Sequence, residues 1–95
     1  MNERIALIEE RLRTILTPDA LEIIDDSAAH AGHAGAREGG HFTVRIVSTA
    51  FAGKTLIQRH RLVYEAVADL MHREIHALSI PLAMPPTKHG LEPRA

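Results

Sequence analysis

Ile5, Ile8, Leu12, Ile15 and Leu16 recur at helical spacing, with Arg and Glu between them. Apolar residues three and four apart share one face of an α-helix. Asn2 suits the cap and Glu3 the first turn, where the helix end favours oxygen and negative charge. Thr17-Pro18 stops the element, because a residue preceding proline is pushed out of the helical region. The pattern predicts an amphipathic helix over residues 3–16.

The period then shortens. Leu21-Glu22-Ile23-Ile24-Asp25 is short, β-branched and bounded by Asp26-Ser27, which reads as a strand. Phe42–Val47 alternates, placing Phe42, Val44 and Ile46 on one face of a second strand, expected antiparallel to the first. The segment between them carries Gly32, Gly35, Gly39 and Gly40. It far exceeds a hairpin loop of roughly 2–5 residues, and such loops are functional or disordered. Phe51-Ala52-Gly53-Lys54 reads as a turn, with a short helical turn near Thr49–Phe51. A helix follows from Thr55 to Met71 or His72, with Leu56, His60, Val63, Val67 and Leu70 in one stripe. Thr55 and Ser48 are the nearby candidate caps. Residues 77–82 alternate again with Leu78, Ile80 and Leu82 inward, and Pro81 suits an edge or strand end. The order is α-β-β-α-β: an α+β single domain whose two helices cover one face of a three-stranded sheet. The other face carries Glu22, Thr43 and Arg45. The domain is expected over residues 1–84 and a flexible C-terminal tail over 85–95.

Composition narrows the function. Ninety-five residues leave room for one core. With 45% hydrophobic and 24% charged residues the chain is globular. Two Phe, one Tyr and no Trp make that core aliphatic. A net charge of −1 argues against a generic polyanion binder. No stretch approaches the roughly 18 apolar residues of a membrane span, and the first residues lack the apolar run of a secretory leader, so a cytoplasmic protein without membrane contact is expected.

Seven histidines and no cysteine stand out. Imidazole is a common neutral metal ligand, but a chain without thiols builds no thiolate site alone. His30 and His33 sit three apart in the glycine-rich segment and could meet one metal, supplemented by Asp25, Asp26 or His41. Two imidazoles are an incomplete structural site, and a solvated loop that happens to carry histidines is the other reading. His72 and His76 have the i, i+4 spacing of a helical metal pair, but a strand is expected to begin near His76. The parity of His76 matches Leu78 and Ile80, which predicts a partly buried, core-side histidine. His60 falls within the helix stripe as a half-buried residue. Lys54, Arg59, Arg61 and Arg45 form a candidate basic patch, or merely solvated flanks. No nucleophile elbow or triad signature is present, so no enzyme is expected.

Phe51-Ala52-Gly53-Lys54, Arg59-His60-Arg61-Leu62-Val63-Tyr64 and Ile75-His76-Ala77-Leu78-Ser79-Ile80 together resemble the BolA family signature, as do Ser27–Gly35 and His41-Phe42-Thr43-Val44. The resemblance covers about residues 3–84. It implies a fold like the class II KH domain and a partner, a monothiol glutaredoxin of the CGFS type. It further implies a [2Fe–2S] cluster shared with glutaredoxin and glutathione, which bring the thiolates. Carried over, the histidine before the last strand is His76; the loop ligand is His30, with His33 as the fallback. Imidazole in place of thiolate lowers ligand charge and raises cluster potential. It also makes ligation sensitive to acid near pH 6, since protonated imidazole does not coordinate. Alone, the chain is expected to hold no cluster and to be a monomer or weak homodimer. The family is also described as transcriptional regulators, so DNA is the alternative partner, through Lys54, Arg59, Arg61 and Arg45. The KH Gly-x-x-Gly loop matches here as Gly53-Lys54-Thr55-Leu56, without its second glycine.

Overall fold

The first helix, α1 (Glu3–Leu16), buries Ile8, Leu12 and Leu16, which repeat every four residues along one face. Each contributes about 1.5–3 kcal/mol by leaving water. Ile15, expected in the stripe, is 56% exposed, because it lies about 100° around the helix from Leu16. Thr17 takes the left-handed conformation at φ 41 and its N–H donates to the Arg13 carbonyl at 3.1 Å, closing the helix before Pro18. These features come from a computed structural model that describes residues 3–27, 40–71 and 73–87.

Strand β1 (Ala20–Asp25) pairs antiparallel with β2 (Gly40–Val47), from Ala20 opposite Val47 to Asp25 opposite Phe42. A 3₁₀ turn at Thr49–Phe51 follows, capped by Ser48. Helix α2 (Leu56–Ala66) opens on Thr55 and Gln58, which cap each other's backbone N–H groups. Both expected caps are therefore present. Helix α2 ends five residues earlier than its periodicity predicts. Val67 leaves the helical region at φ −111 and ψ 16, and Ala68–Leu70 forms a separate 3₁₀ turn. That bend lets Val67 and Leu70 stay buried while the chain turns back towards the sheet. At the other end Leu56 is 60% exposed, so the core stripe begins a turn later than expected.

Strand β3 (Ile75–Met84) runs longer than residues 77–82 and pairs parallel with β2, giving the order β1-β2-β3. Parallel neighbours need a crossover, and α2 supplies it. Thr43 pairs with Ser79 but Arg45 with Leu82, so Ile80 and Pro81 together face Val44. Pro81, lacking an N–H, therefore sits in a bulge on an edge strand. The bulge explains why alternation fails after Ile80: Ala83 is buried instead of Leu82, which is only half-buried. Phe42, Val44 and Ile46 join α1, α2, Phe51, Ile75, Leu78 and Ile80 in one core. The outer face carries Glu22 and Arg45, paired at 3.4 Å. Among the described residues no helix is long and apolar enough to cross a membrane. Residues 88–95 of the expected tail lie outside the described residues.

Candidate functional site

β2 and β3 run in the same direction, so their first residues meet at one end of the sheet. There a second irregularity occurs. Gly40 pairs with Ile75 and the next residue, His41, pairs with Ala77. His76 is therefore an extra residue, and the bulge re-aims its side chain. Ile75 takes the core position and is fully buried, whereas His76 is half-buried. This corrects the core-side orientation expected from strand parity. The His76 ring instead packs on that of His41, with centroids 5.1 Å apart and planes tilted by 54°.

Backbone bonds fix this end of the sheet. The Asp26 N–H donates to the His41 carbonyl at 2.7 Å, and the His41 N–H donates to Ser27 Oγ at 3.0 Å. The Gly40 N–H donates to the Glu74 carbonyl at 3.1 Å, tying β2 to the residue before β3. Asp25 Oδ1 accepts from the Ser27 N–H at 2.8 Å, and Asp26 accepts from the Thr43 hydroxyl. Both flanks of the 28–39 segment, Ser27 and Gly40, are thus held beside the histidine pair. His30, His33 and His72 lie outside the described residues. His60 is half-buried on α2.

Among the described residues no group of three or more His, Cys, Asp or Glu is arranged to hold a metal. The His41–His76 pair supplies two neutral nitrogen ligands at most from each ring's one metal-binding position, short of the four of a closed site. A soft-metal cluster here requires thiolates from elsewhere, since the chain has no cysteine. Sequence reasoning named His41 only as a possible supplement. Its signal was available: a strand–helix–strand order implies a parallel pair, which sets the starts of both strands side by side.

The four basic candidates do not share one face. Arg59 is engaged with backbone, its Nε donating to the Lys54 carbonyl at 3.0 Å and its Nη1 to the Ala83 carbonyl at 3.2 Å. Arg45 lies on the outer sheet face against Glu22. Lys54 and Arg61 do converge, lining a pocket of about 330 Å³ with Gly53, Gln58, Leu62 and Glu65.

A family model described as BolA-like protein matches residues 12–86. The chain is 47% identical over 79 residues to SufE-like protein 1, chloroplastic/mitochondrial, of Arabidopsis thaliana, covering 77% of this chain and 21% of that protein. It is 38% identical over 73 residues to the DNA-binding transcriptional regulator BolA of Escherichia coli, covering 77% of this chain and 68% of that one. The solved BolA domain of SufE1 from Arabidopsis thaliana superposes with a TM-score of 0.79 at 46% identity, covering 90% of this chain and 95% of that domain. The chain spans only about a fifth to just over half the length of several curated relatives.

Proposed function

This chain belongs to the BolA-like protein family, and from that premise we propose that it binds a monothiol glutaredoxin and co-ligates a shared [2Fe–2S] cluster through His76 and a loop histidine. The observation that carries the proposal is the placement of His76. A bulge lifts it from the core beside His41, at the sheet end where Ser27 and Gly40 anchor the histidine-bearing segment. His30 is three residues along the chain from Ser27 and His33 is six, so His30 is the nearer to that anchor in sequence. This favours His30 as the loop ligand and keeps His33 as the fallback. Glutaredoxin and glutathione supply the thiolates that this cysteine-free chain lacks. The cluster is cargo or signal here, and the chain's own part is to present imidazole at a rigid edge.

Visible circular dichroism tests this. Titration into a [2Fe–2S]-loaded monothiol glutaredoxin is expected to give a new, saturating spectrum that fails to form with His76→Ala. His30→Ala and His33→Ala, run in parallel, identify the loop ligand. An unchanged spectrum with His76→Ala refutes the ligand assignment.

A second reading, DNA binding, draws support from the convergence of Lys54 and Arg61 and from the name of the Escherichia coli relative. Two phosphate contacts predict a salt slope of only about −2 on a log–log plot. A slope several times steeper would require cations beyond this pocket.

A further inference from the structure

We propose that the free edge of β1 takes up an extended, basic segment of another protein as an added strand of the three-stranded sheet. This edge is separate from the histidine-bearing sheet end, and the inference does not rest on the cluster reading.

The fold treats the two edges of the sheet differently. The β3 edge is guarded. The Tyr64 hydroxyl donates to the Leu78 carbonyl at 2.7 Å, and Arg59 Nη1 donates to the Ala83 carbonyl at 3.2 Å. The next carbonyl, that of Met84, accepts from the Ser48 N–H at 3.0 Å on the β2 side. Successive carbonyls of a strand point opposite ways, so that of Ala83 belongs to the outer edge. Pro81 has no N–H to offer a neighbour. Two side chains of α2 and a proline thus obstruct strand pairing here, as natural sheets commonly arrange.

The β1 edge is open. The Asp26 N–H donates to the His41 carbonyl at 2.7 Å, which sets the parity of the antiparallel pair. Ile24, Glu22 and Ala20 share that parity and exchange bonds with β2, so the N–H and carbonyl groups of Leu21 and Ile23 point away from it. No side chain among the described residues bonds those outward groups. Leu21 and Ile23 are half-buried against the core, and Ile24 is 41% exposed on the outer face. A strand laid along this edge gains main-chain bonds from Leu21 and Ile23 and covers apolar surface on both faces, which is the physics of strand addition.

Charge selects the occupant. Residues 17–27 carry Asp19, Glu22, Asp25 and Asp26 and no lysine or arginine. Glu22 pairs with Arg45 at 3.4 Å, yet its side chain stays 60% exposed. A second copy of β1 would bring these carboxylates up against their own kind, and like charges destabilise facing strands. An incoming segment that alternates apolar residues with Arg or Lys instead sets its apolar side chains beside Leu21 and Ile23 and its cations beside Glu22.

The probe is a short, terminally blocked peptide of alternating valine and arginine, titrated into the full chain and followed by amide NMR and hydrogen exchange. It is compared with a valine–glutamate peptide and with a valine–arginine peptide N-methylated at its valines. Methylation keeps the charge but removes the N–H groups that face β1. The basic peptide is expected to shift the Leu21 and Ile23 amides and slow their exchange, methylation to weaken binding about tenfold or more, and the acidic peptide to give no shift. Glu22→Lys is expected to weaken the basic peptide at least about fivefold. Equal binding of the methylated and unmethylated peptides overturns strand addition, and so does unchanged exchange at Leu21 and Ile23. Undiminished binding by Glu22→Lys overturns the choice of a basic partner. Exchange of these amides that slows with protein concentration, without peptide, assigns the edge to a second copy and overturns the proposal. Should Glu22→Lys not fold, the three peptides compared on wild type decide.

Discussion

Replacing Gly40 by alanine isolates how the sheet end is built. A Cβ at Gly40 falls 2.6 Å from Phe42 Cε2, 2.7 Å from Phe42 Cζ and 2.7 Å from Ser27 Oγ. Carbon atoms do not approach that closely, so something must move. Phe42 is 2% exposed and packed in the core, and overpacking such a side chain costs about 1–3 kcal/mol. Displacing Ser27 Oγ also removes the acceptor of the His41 N–H, at about 1 kcal/mol. The sum is about 2–4 kcal/mol, and for a domain of this size each kcal/mol lowers Tm by roughly 4–8 °C. Backbone strain does not enter, because Gly40 is not in the positive-φ region; Gly53 is, at φ 74, with open space where its Cβ would be. Gly53→Ala should therefore cost only about 1 kcal/mol, from the left-handed conformation alone. Thermal unfolding by far-UV circular dichroism compares the two. The Gly40 variant should lose at least about 8 °C and, on the same scale, two to four times as much as the Gly53 variant. A Gly40→Ala protein melting within 2 °C of wild type, by roughly the precision such scans allow, would refute the packing argument.

Three further outcomes are expected. Ser48 is fully buried; its hydroxyl donates to the Leu16 carbonyl at 2.6 Å and accepts from the Ala50 N–H at 3.1 Å. Ser48→Ala orphans both and should cost about 1–3 kcal/mol, read as a lower urea midpoint at constant slope. Tyr64 donates its hydroxyl to the Leu78 carbonyl at 2.7 Å, joining α2 to β3. Tyr64→Phe should cost about 0.5–1.5 kcal/mol, and an unshifted unfolding midpoint would contradict that bond. The Arg11 guanidinium, hydrogen-bonded to Asp69, holds that carboxyl below its ordinary value against a smaller opposing effect of desolvation. A depressed carboxyl stabilises above the ordinary Asp range, about 3.9, and that contribution fades as pH falls through the lowered folded value. Asp69→Asn should therefore differ slightly from wild type at neutral pH and converge with it in acid. Because the pair is solvent-exposed, about 1 M salt should erase the difference; a gap that survives salt would show another cause.

Much of this protein was legible from local pattern. The 8-12-16 repeat, the alternation of Phe42, Val44 and Ile46, and the stops at Thr17-Pro18 and Gly53 are short-range signals, set by helix and strand geometry. They delivered the element order, the antiparallel β1–β2 pair and the position of His76 near a strand start. The early end of α2 was not legible, because Val67 and Leu70 fit a helix stripe equally well, and only the return to the sheet makes the chain bend there. Nor was the true orientation of His76. Parity assumes an uninterrupted strand, and the bulge exists because Gly40 and His41 must match Ile75 and Ala77 across a parallel pair.

The sequence by itself determined which segments are helix and strand, that the core is aliphatic apart from Phe42 and Phe51, and that any thiolates must come from another molecule. Tertiary structure decided where β3 bulges, that Arg45 lies on the outer sheet face away from Lys54 and Arg61, and that His76 turns onto His41. The reason is one of range. Periodicity reports on neighbours within a turn or a strand, whereas a contact across thirty-five residues exists only once the crossover has folded and the sheet register is set.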